Sequence, residues 1–327
     1  MQILHIDTTE IRMPRETVVT IGNFDGVHAG HRRLIDMTKL IALAGDMASV
    51  VLTFDPHPIT VLRGQEVPLL LTREEKQAAI ADLGVDIYAE KAFTAALAQY
   101  SPAEFFKEVL VPLRCRHLVI GTDFRFGQKG AGDATSAAHY GADCGITVHT
   151  LPHVYEKNEK ISSTRIRNLI IEHKFVEAAT LLTRPYAMRG EVMRGAQRGR
   201  ALGFPTLNLI PSRQKLLPPD GVYLTRTAWH GALYDGVTNI GTNPTFDAQT
   251  RTVETHLLNC NETLYGKTVT ISFLGFLRKD VRFDSPAALQ TAIAADVSVA
   301  QTFFAGIKSN PASMRGQGSW LDDAGRI

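Results

Sequence analysis

Two histidines and three glycines stand together near the start of the chain. They lie in "TIGNFDGVHAGHRRL", residues 20–34, which holds His28 and His31 among Gly22, Gly26 and Gly30. A β-branched run precedes this stretch and a helical pattern follows it, so the glycines let the backbone approach a ligand at a helix N-terminus. Two imidazoles beside that positive end of the helix predict a site for polyphosphate.

Two other interpretations of the histidine pair stay open from the residues alone. The pair could ligate a metal, although zinc takes three or four ligands and no cysteine or carboxylate completes such a set here. It could also be two solvated histidines in a polar loop. The sequence contains neither a Walker A motif nor G-x-G-x-x-G, so neither of the usual phosphate-binding loops competes for this role.

A second group of polar residues lies in strand-like segments of the second half. Thr206 and Asn208 are two apart in "GFPTLN", so on a strand a hydroxyl and a carboxamide oxygen would point together at a hard cation. Glu254 and His256 share one face of "VETHLL", where a carboxylate could act as a general base beside a hydroxyl. The alternatives are a polar, solvent-facing edge for the first pair and an ordinary exposed position for Glu254.

Glycines four residues apart, Gly195, Gly199 and Gly203, stand in "RGAQRGRALGFPTLN". Such spacing suggests helix dimerisation only in an apolar segment, and the arginines exclude a membrane helix here. A solvated basic loop or an RNA-binding patch is the alternative to a nucleotide site. The stretch lacks interleaved aromatic residues and the chain has a formal net charge of only +2, which disfavours RNA.

The elements that must hold the first group alternate between strands and helices. Strand-like runs occupy residues 16–24, 48–54, 117–121 and 145–151, and helical patterns run from His31 to Gly45 and over residues 72–84, 101–113 and, as one long helix, 164–182. This alternation predicts a parallel sheet with helices on both faces and ligands at the carboxyl ends of its strands. We therefore expect the site in the loops after Ile21, Phe54 and Ile120.

Six short β-rich runs follow one another from Arg184 onward and predict an antiparallel barrel or sandwich. A single helix closes the series, with Ser285 as its cap and Pro286 as its first residue. The chain should therefore comprise an α/β domain of residues 1–183, an all-β domain of residues 184–308 and a loosely ordered tail of residues 309–327.

Composition limits the kind of protein. The 327 residues are 44% hydrophobic and 21% charged, which suits a globular chain of two domains. The small net charge calls for neither a nucleic-acid nor a membrane partner. The three cysteines are widely separated and the first residues have no apolar signal core, so we expect a reducing, cytoplasmic location.

Several motifs together resemble a known family. "GNFDGVHAGH" resembles the HxGH signature of the nucleotidyltransferase superfamily, and "ISSTRIR" at residues 161–167 is similar to its second signature. "FDPHP" and "GTDFRFG" match two further loops, and the whole chain resembles the prokaryotic bifunctional riboflavin kinase / FMN adenylyltransferase family, also called FAD synthetase. The resemblance implies a Rossmann-like adenylyltransferase domain followed by a β-barrel riboflavin kinase domain with a closing helix.

The resemblance also implies roles in the first domain. His28 and His31 would stabilise charge on the attacked α-phosphate of ATP, and the phosphate of FMN would attack directly without a protein nucleophile. ATP would further contact Gly22, Phe24, Asp123, Ser163 and Arg167, while flavin would contact Pro56, His57 and Phe124.

In the second domain the resemblance implies that Thr206 and Asn208 bind Mg²⁺ and ATP phosphates and that Glu254 takes the proton of the flavin 5′-hydroxyl. Gly195 and Gly203 would wrap the nucleotide, and Arg278 would contact flavin. Asp280 stands where the family usually has a longer glutamate, and "HLLNCN" lacks the usual aspartate and aromatic residue. Either change could alter how the flavin loop closes.

The expected substrates and products are riboflavin, FMN, FAD and ATP, with Mg²⁺, and the oligomeric state stays open. One rival is a nucleotidyltransferase for another phosphate acceptor, which would leave "GFPTLN" and "VETHL" unexplained. The other is a non-catalytic nucleotide- or RNA-binding protein. The intact histidines, together with Arg167, Asn208 and Glu254, count against that rival.

Overall fold

The computed structural model describes residues 1–6, 13–195, 199, 202–242, 251–260 and 262–309. The chain divides into two compact units, Met1–Ser163 and Thr164–Ile327. The functional boundary expected between residues 183 and 184 stays a prediction, because compactness does not locate the activities. Within the described ranges, no helix is both long and apolar enough to span a membrane.

The first unit contains a six-stranded parallel sheet in the order β1-β4-β3-β2-β5-β6, as the alternating pattern predicted. Its elements are β1 (Gln2–His5), β2 (Thr17–Ile21), α1 (Ala29–Ala44), β3 (Ala48–Asp55), α2 (Pro58–Arg63), α3 (Arg73–Ala81), β4 (Ile87–Ala92), α4 (Pro102–Phe105), β5 (Cys115–Gly121), α5 (Ala134–Asp143), β6 (Thr147–Leu151), β7 (Tyr155–Glu156) and β8 (Glu159–Lys160). The sequence patterns had not predicted β1, β4, α2 or α5.

Both faces of this sheet are covered. Val19 and Ile21 of β2 point into a core with α5 and the helical turns around Phe106, whereas Val18 points into a core with α1 on the other face. Such double burial explains why the central strands are continuous hydrophobic runs. The middle strands β3, β2 and β5 are neighbours, so the three loops that were expected to carry the site leave the same edge of the sheet side by side.

The helices predicted to start at residues 72 and 101 begin there in the structure. Thr72 and Ser101 each form a capping box with a glutamate three residues later, at the starts of α3 and α4. α4 itself is short and continues as a π-helical turn, Phe106–Leu110, and a 3₁₀ turn, Val111–Leu113.

The single long helix predicted over residues 164–182 is wrong. The segment forms α6 (Ser163–Ile171) and α7 (Phe175–Leu182), and His173 between them has a φ of +61°. The His173 ring stacks on Phe276 at 3.9 Å, and Phe175 stacks on Phe273 at 5.8 Å. These contacts with a distant strand break a pattern that is continuous in sequence.

The second unit is a closed antiparallel barrel in the order β10-β13-β12-β11-β14-β9, which decides between barrel and sandwich. Its strands are β9 (Tyr186–Met193), β10 (Thr206–Leu209), β11 (Gly221–Trp229), β12 (Ala232–Thr242), β13 (Arg251–Leu257) and β14 (Thr268–Lys279). The closing helix α8 (Pro286–Ser309) follows, and Ser285 Oγ accepts from Ala288 N–H as predicted. The predicted loose tail lies outside the described residues from position 310 onward.

The barrel wall has two different faces. Inside, the hydroxyls of Thr225, Thr238 and Thr255 form a chain with 2.7 Å between successive oxygens. Outside, Val222 and Leu224 pack against Phe304 of α8. Side chains alternate between the two faces along a strand, and paired residues on neighbouring strands share a face. Polar residues that share the face of Val222 and Leu224 therefore point to the space between the wall and α8.

Candidate active sites

The histidine loop, residues 22–28, connects β2 to α1. His28 is buried and is the N-cap of α1, and its Nδ1 accepts a hydrogen bond from the His31 N–H at 3.3 Å. An accepting Nδ1 leaves the proton of the neutral ring on Nε2, which is then a hydrogen-bond donor. The loop thus places a donor next to the positive end of a sixteen-residue helix.

The rings of His28 and His31 stack on each other, with centroids 3.7 Å apart and planes 13° from parallel. The edge of Phe24 packs against His31 at 5.2 Å. Burial, the neighbouring His28 and the charge of Lys76 hold the pKa of His31 well below its usual range. His31 Nδ1 is buried and has no hydrogen-bond partner among the described residues. His31 is therefore an uncharged ring whose Nδ1 can form a hydrogen bond with a ligand.

The backbone of the histidine loop is unusual. Phe24, Gly26 and Val27 have φ values of +48°, +88° and +41°, a region that a β-branched residue such as Val27 rarely adopts. Such strain is often kept where the backbone approaches a ligand. A Cβ at Gly22 would lie 3.3 Å from the Phe24 ring. That ring is fully buried, so a contact of Phe24 with a nucleotide would come from its backbone.

The structure joins the histidine loop to the second signature. Ser163 Oγ donates to the carbonyl oxygen of Asp25 at 2.8 Å, across 138 residues of sequence. The buried Asp25 carboxylate in turn accepts from the N–H groups of Leu70 and Leu71, both at 3.1 Å. Arg167 follows Ser163 by one turn on the same side of α6. Both signatures therefore meet through a direct hydrogen bond.

The loop after β5 carries Asp123 and Phe124. Asp123 pairs with Lys160 of β8, and its Oδ1 lies 3.8 Å from Nδ1 of His153. Burial alone would raise the pKa of the Asp123 carboxyl, but the hydrogen bond and charge of Lys160 outweigh it and the pKa is lowered. Phe124 stacks on Phe126 at 5.5 Å and is half-buried.

The loop after β3 carries Pro56 and His57. His57 caps α2, because its Nδ1 accepts from the Ile59 N–H at 3.3 Å. Since β3 lies next to β2 in the sheet, this loop leaves the same edge as the histidine loop. A flavin role for these two residues stays a prediction.

The second site is a cavity of about 290 Å³ between the outer face of the barrel and α8. Thr206, Asn208 and Glu254 all line it, as do Arg278, Asp280 and Asp296. The first four of these were predicted to belong to one site, although the motifs of β10, β13 and β14 that carry them are far apart in sequence.

Strand register explains why these residues meet. Asn208 pairs with Glu254, Glu254 with Asn239, Asn239 with Val222, and Val222 with Arg278. Paired residues project from the same face of an antiparallel sheet, with Cβ atoms roughly 4.5–5.5 Å apart. We call this set the polar row. It crosses five strands, and the Oδ1 atom of Asn239 within it is buried and has no hydrogen-bond partner in the described part of the chain.

Charged groups close one end of the cavity. Arg278 binds Asp296 of α8 through two forked hydrogen bonds, Nε to Oδ1 at 3.0 Å and Nη2 to Oδ2 at 2.7 Å, and lies 5.6 Å over the Phe283 ring. Burial and the nearby Asp220 raise the pKa of Asp280. The Arg278 guanidinium is therefore oriented by Asp296 of α8 and by Phe283, and its contact with flavin stays a prediction.

The predicted glycines stand close to the polar row. A Cβ at Gly195 would lie 2.6 Å from Cγ of Asn208, and one at Gly199 would lie 2.4 Å from the Phe204 carbonyl oxygen. Gly203 has a φ of +86°. The absence of a side chain at Gly195 therefore leaves room for the Asn208 amide. Arg198 and Arg200 lie outside the described residues.

The oxygen-rich polar row fits Mg²⁺. Thr206, Asn208 and Glu254 offer hard oxygen donors, and the unpartnered Asn239 Oδ1 adds a fourth. Mg²⁺ usually takes only one or two protein ligands and completes its shell with phosphates and water. The described ranges contain no cluster of three or more histidine, cysteine or acidic residues that would hold a metal by itself.

Comparisons with known proteins decide the family. Residues 10–165 match the family described as FAD synthetase, and residues 182–304 match the family described as riboflavin kinase. The bifunctional riboflavin kinase/FMN adenylyltransferase of Listeria monocytogenes is 36% identical over 304 residues, which cover 92% of this chain and 96% of that protein. The chain belongs to the bifunctional riboflavin kinase/FMN adenylyltransferase family.

Other relatives agree. The bifunctional riboflavin kinase/FMN adenylyltransferase of Escherichia coli K12 is 34% identical over 290 residues, 88% of this chain and 92% of that protein. A crystal structure described as a macrolide-efflux protein from Streptococcus pneumoniae superposes with a TM-score of 0.81 at 31% identity, covering 89% of this chain and 96% of that one.

Within this riboflavin kinase/FMN adenylyltransferase chain, sequence reasoning missed three residues at the two sites. Asn239 stands in "NIGTNPTF", and only its register with Glu254 places it in the cavity. Asp296 lies in the middle of α8, where nothing local distinguishes it from a solvated residue. Lys76 of α3 approaches the histidine loop although it stands in an ordinary helical pattern.

Proposed function

We propose that this chain phosphorylates riboflavin to FMN with ATP and then transfers AMP from a second ATP to FMN, giving FAD and pyrophosphate. The observation that carries the proposal is that one chain holds two separate sites, each inside the segment that matches the corresponding family. The relatives matched over most of their length carry both names, which supports both activities in one chain.

In the kinase reaction, Glu254 takes the proton from the 5′-hydroxyl of riboflavin while the hydroxyl oxygen attacks the γ-phosphorus of ATP. The new P–O bond gives FMN, and the bond from the γ-phosphorus to its bridging oxygen breaks and releases ADP. Thr206 and Asn208 hold Mg²⁺ and the ATP phosphates, while Gly195 and Gly203 lie along the nucleotide. When bound, Mg²⁺ neutralises charge on the phosphoryl group that is transferred. Arg278, held by Asp296, contacts the flavin. The polar row supports these roles, because it puts an acceptor oxygen beside the carboxylate base.

In the adenylyltransferase reaction, a phosphate oxygen of FMN attacks the α-phosphate of ATP. A new P–O bond forms there, and the bond from the α-phosphate to its bridging oxygen breaks, releasing pyrophosphate. His28 and His31 donate hydrogen bonds to the reacting phosphate, and the N-terminus of α1 adds its dipole. Ser163 and Arg167 hold the β- and γ-phosphates.

Further positions complete the adenylyltransferase proposal. Asp123 and the backbone of Gly22 and Phe24 contact ATP, while Pro56, His57 and Phe124 contact FMN. The three adjacent loops at the edge of the sheet support this arrangement. Residues 1–183 would form this module and residues 184–308 the kinase. The free thiols of Cys115, Cys144 and Cys260 support a cytoplasmic location.

The test is chromatography of the flavin products. Purified protein with riboflavin and MgATP should form FMN and then FAD, and FMN with MgATP should give FAD and pyrophosphate in equal amounts. Formation of neither product, with oxidised or reduced flavin, would overturn the proposal. Parallel reactions with pantetheine phosphate or nicotinamide mononucleotide test other acceptors, and a salt titration of RNA binding tests the non-catalytic rival.

A further inference from the structure

Lys76 is a cation that the reaction described above does not use. It lies on α3, yet its ammonium points to the carboxyl ends of two strands. Nζ donates to Oγ1 of Thr53 at 3.1 Å and to the carbonyl oxygen of Asn23 at 3.4 Å. Thr53 is the last buried hydroxyl of β3, and Asn23 belongs to the histidine loop.

These bonds form a closed set of three groups. Thr53 Oγ1 also donates to the Asn23 carbonyl at 3.4 Å, so that one oxygen of the histidine loop is held by both the hydroxyl and the ammonium. Asn23 immediately precedes the left-handed Phe24. A strained backbone persists only where its surroundings hold it, and Lys76 supplies one of these restraints.

The charge of Lys76 also acts on the histidines. Among the charged groups around His31, His28 and Lys76 both disfavour its protonation. The neighbours of Lys76 itself are Asp25, Asp55 and Glu90, with Arg73 as the like charge. Glu90 binds Arg73 through Nε at 3.0 Å, and Asp25 accepts from two backbone N–H groups. Burial lowers the pKa of Lys76.

We propose that Lys76 is a positioning residue of the adenylyltransferase site, which fixes the histidine loop against the end of β3 and sets a positive charge near His31. This inference rests on the adenylyltransferase activity proposed above. Lys76 touches neither substrate in this role. Together with burial, its charge disfavours protonation of His31, and it attracts the polyphosphate at a distance.

The test replaces Lys76 with methionine, which keeps the length of the side chain but removes the ammonium. We expect kcat for FAD formation from FMN to fall about 10- to 100-fold, since small misplacements of reacting groups cost that much. FMN formation from riboflavin by the same preparation should keep the parent rate, which controls for misfolding. Lys39→Met is the matched control, because Lys39 on α1 also donates to a backbone carbonyl, that of Leu83.

A second measurement separates position from charge. Selective labelling of histidine side chains lets NMR follow the titration of His31. We expect its pKa to rise in Lys76→Met, to stay near the parent value in Lys39→Met, and to stay near it also in Lys76→Arg, which retains the charge. The acid limb of kcat for FAD formation should move to higher pH in Lys76→Met alone, because protonated His31 is then reached earlier on acidification.

Failure of the inference about Lys76 can be distinguished from failure of the proposed function. A parent protein that makes no FAD would contradict the activity, and the His31 titration would still test Lys76. A Lys76→Met protein whose kcat for FAD formation matches that of Lys39→Met, or whose His31 titrates as in the parent, would overturn this inference. Equal loss of both activities in Lys76→Met would likewise overturn it, because Lys76 would then only maintain the fold.

Discussion

The two sites of this chain are built from different parts of their sheets. In the first unit, the candidate site lies at the ends of parallel strands, where loops and a helix N-terminus supply backbone groups and two stacked histidines. In the second unit, the site lies on the wall of a barrel, where side chains from five paired strands face α8. One site depends on loop conformation and the other on strand register.

The difference reflects the two kinds of sheet. Parallel strands are buried on both faces by helices, so only their ends reach a ligand. An antiparallel barrel leaves its outer face available, and alternation places every second residue there. The first unit therefore offers N–H groups and imidazoles, which can bind a polyphosphate. The second unit offers carboxylate and amide oxygens, which can accept a proton from a hydroxyl group or bind a divalent cation.

The largest expected effect falls on the barrel wall. Glu254→Gln keeps the size of the side chain but cannot take a proton from the 5′-hydroxyl, so FMN formation should fall about 10²–10⁴-fold. FAD formation from supplied FMN should stay near the parent rate. Both rates are measured on one preparation, and equal loss of both would mean that Glu254 is structural or that the sites are shared.

The corresponding change at the strand ends is His31→Ala. It removes one preorganised donor and should lower FAD formation by about 10²-fold or more. Riboflavin phosphorylation should survive, because the polar row is untouched. If FAD synthesis tolerates the change, His31 has a structural role beside the cap of α1 and no catalytic one.

A smaller effect tests the space beside the polar row. Gly195→Ala would push a Cβ against Cγ of Asn208, so we expect kcat for FMN formation to fall by about 10-fold through misplacement of the amide. Gly306→Ala is the control, because its added Cβ meets nothing within 4 Å. Equal rates in the two variants would show that Asn208 moves aside without loss.

The smallest effect concerns pH and belongs to the first unit alone. The folded pKa of the buried His31 is depressed, so below pH 6.5 the unfolded chain binds a proton that the folded chain does not. As the pH falls from that value toward the folded pKa, this residue should therefore lower the free energy of unfolding, by at most about 1.4 kcal/mol for each pH unit. This change in the free energy of unfolding is measured by hydrogen exchange of the β2 and β3 amides at pH 7.5 and 5.5, with the rates corrected for the pH dependence of intrinsic exchange.

The comparison is with two variants. His31→Gln should flatten the dependence of the β2 and β3 amides on pH, whereas His139→Gln, at an exposed histidine of α5, should leave it as in the parent. A parent protein whose opening energies for these amides do not change across that range would contradict an uncharged, buried His31.

Local signals predicted most of the fold. The alternation of strands and helices predicted the parallel sheet, and the helical patterns that begin at Thr72 and Ser101 predicted two helix starts, where the structure has capping boxes. Short polar motifs also picked out Thr206 and Asn208, because their spacing on one strand fixes their common face. Each of these inferences needed only residues that are close in sequence.

The rest depended on contacts between distant residues. The break between α6 and α7 follows from stacking of His173 on Phe276, about a hundred positions later, which no helical periodicity contains. Asn239 joins Glu254 only through strand register, and Lys76 has the helical pattern of a surface residue although it bonds Asn23 and Thr53. Sequence spacing cannot express these pairings.

The polar row makes the kinase a reporter of how the barrel has folded. A shift of any one of its five strands by a single residue would turn that strand's contribution from the cavity to the interior. Molecules that refold with such an error should thus be inactive rather than slow. A refolded population would show a reduced fraction of active enzyme with an unchanged KM for riboflavin. Active-site titration would therefore measure the fraction of barrels whose strands have the correct register.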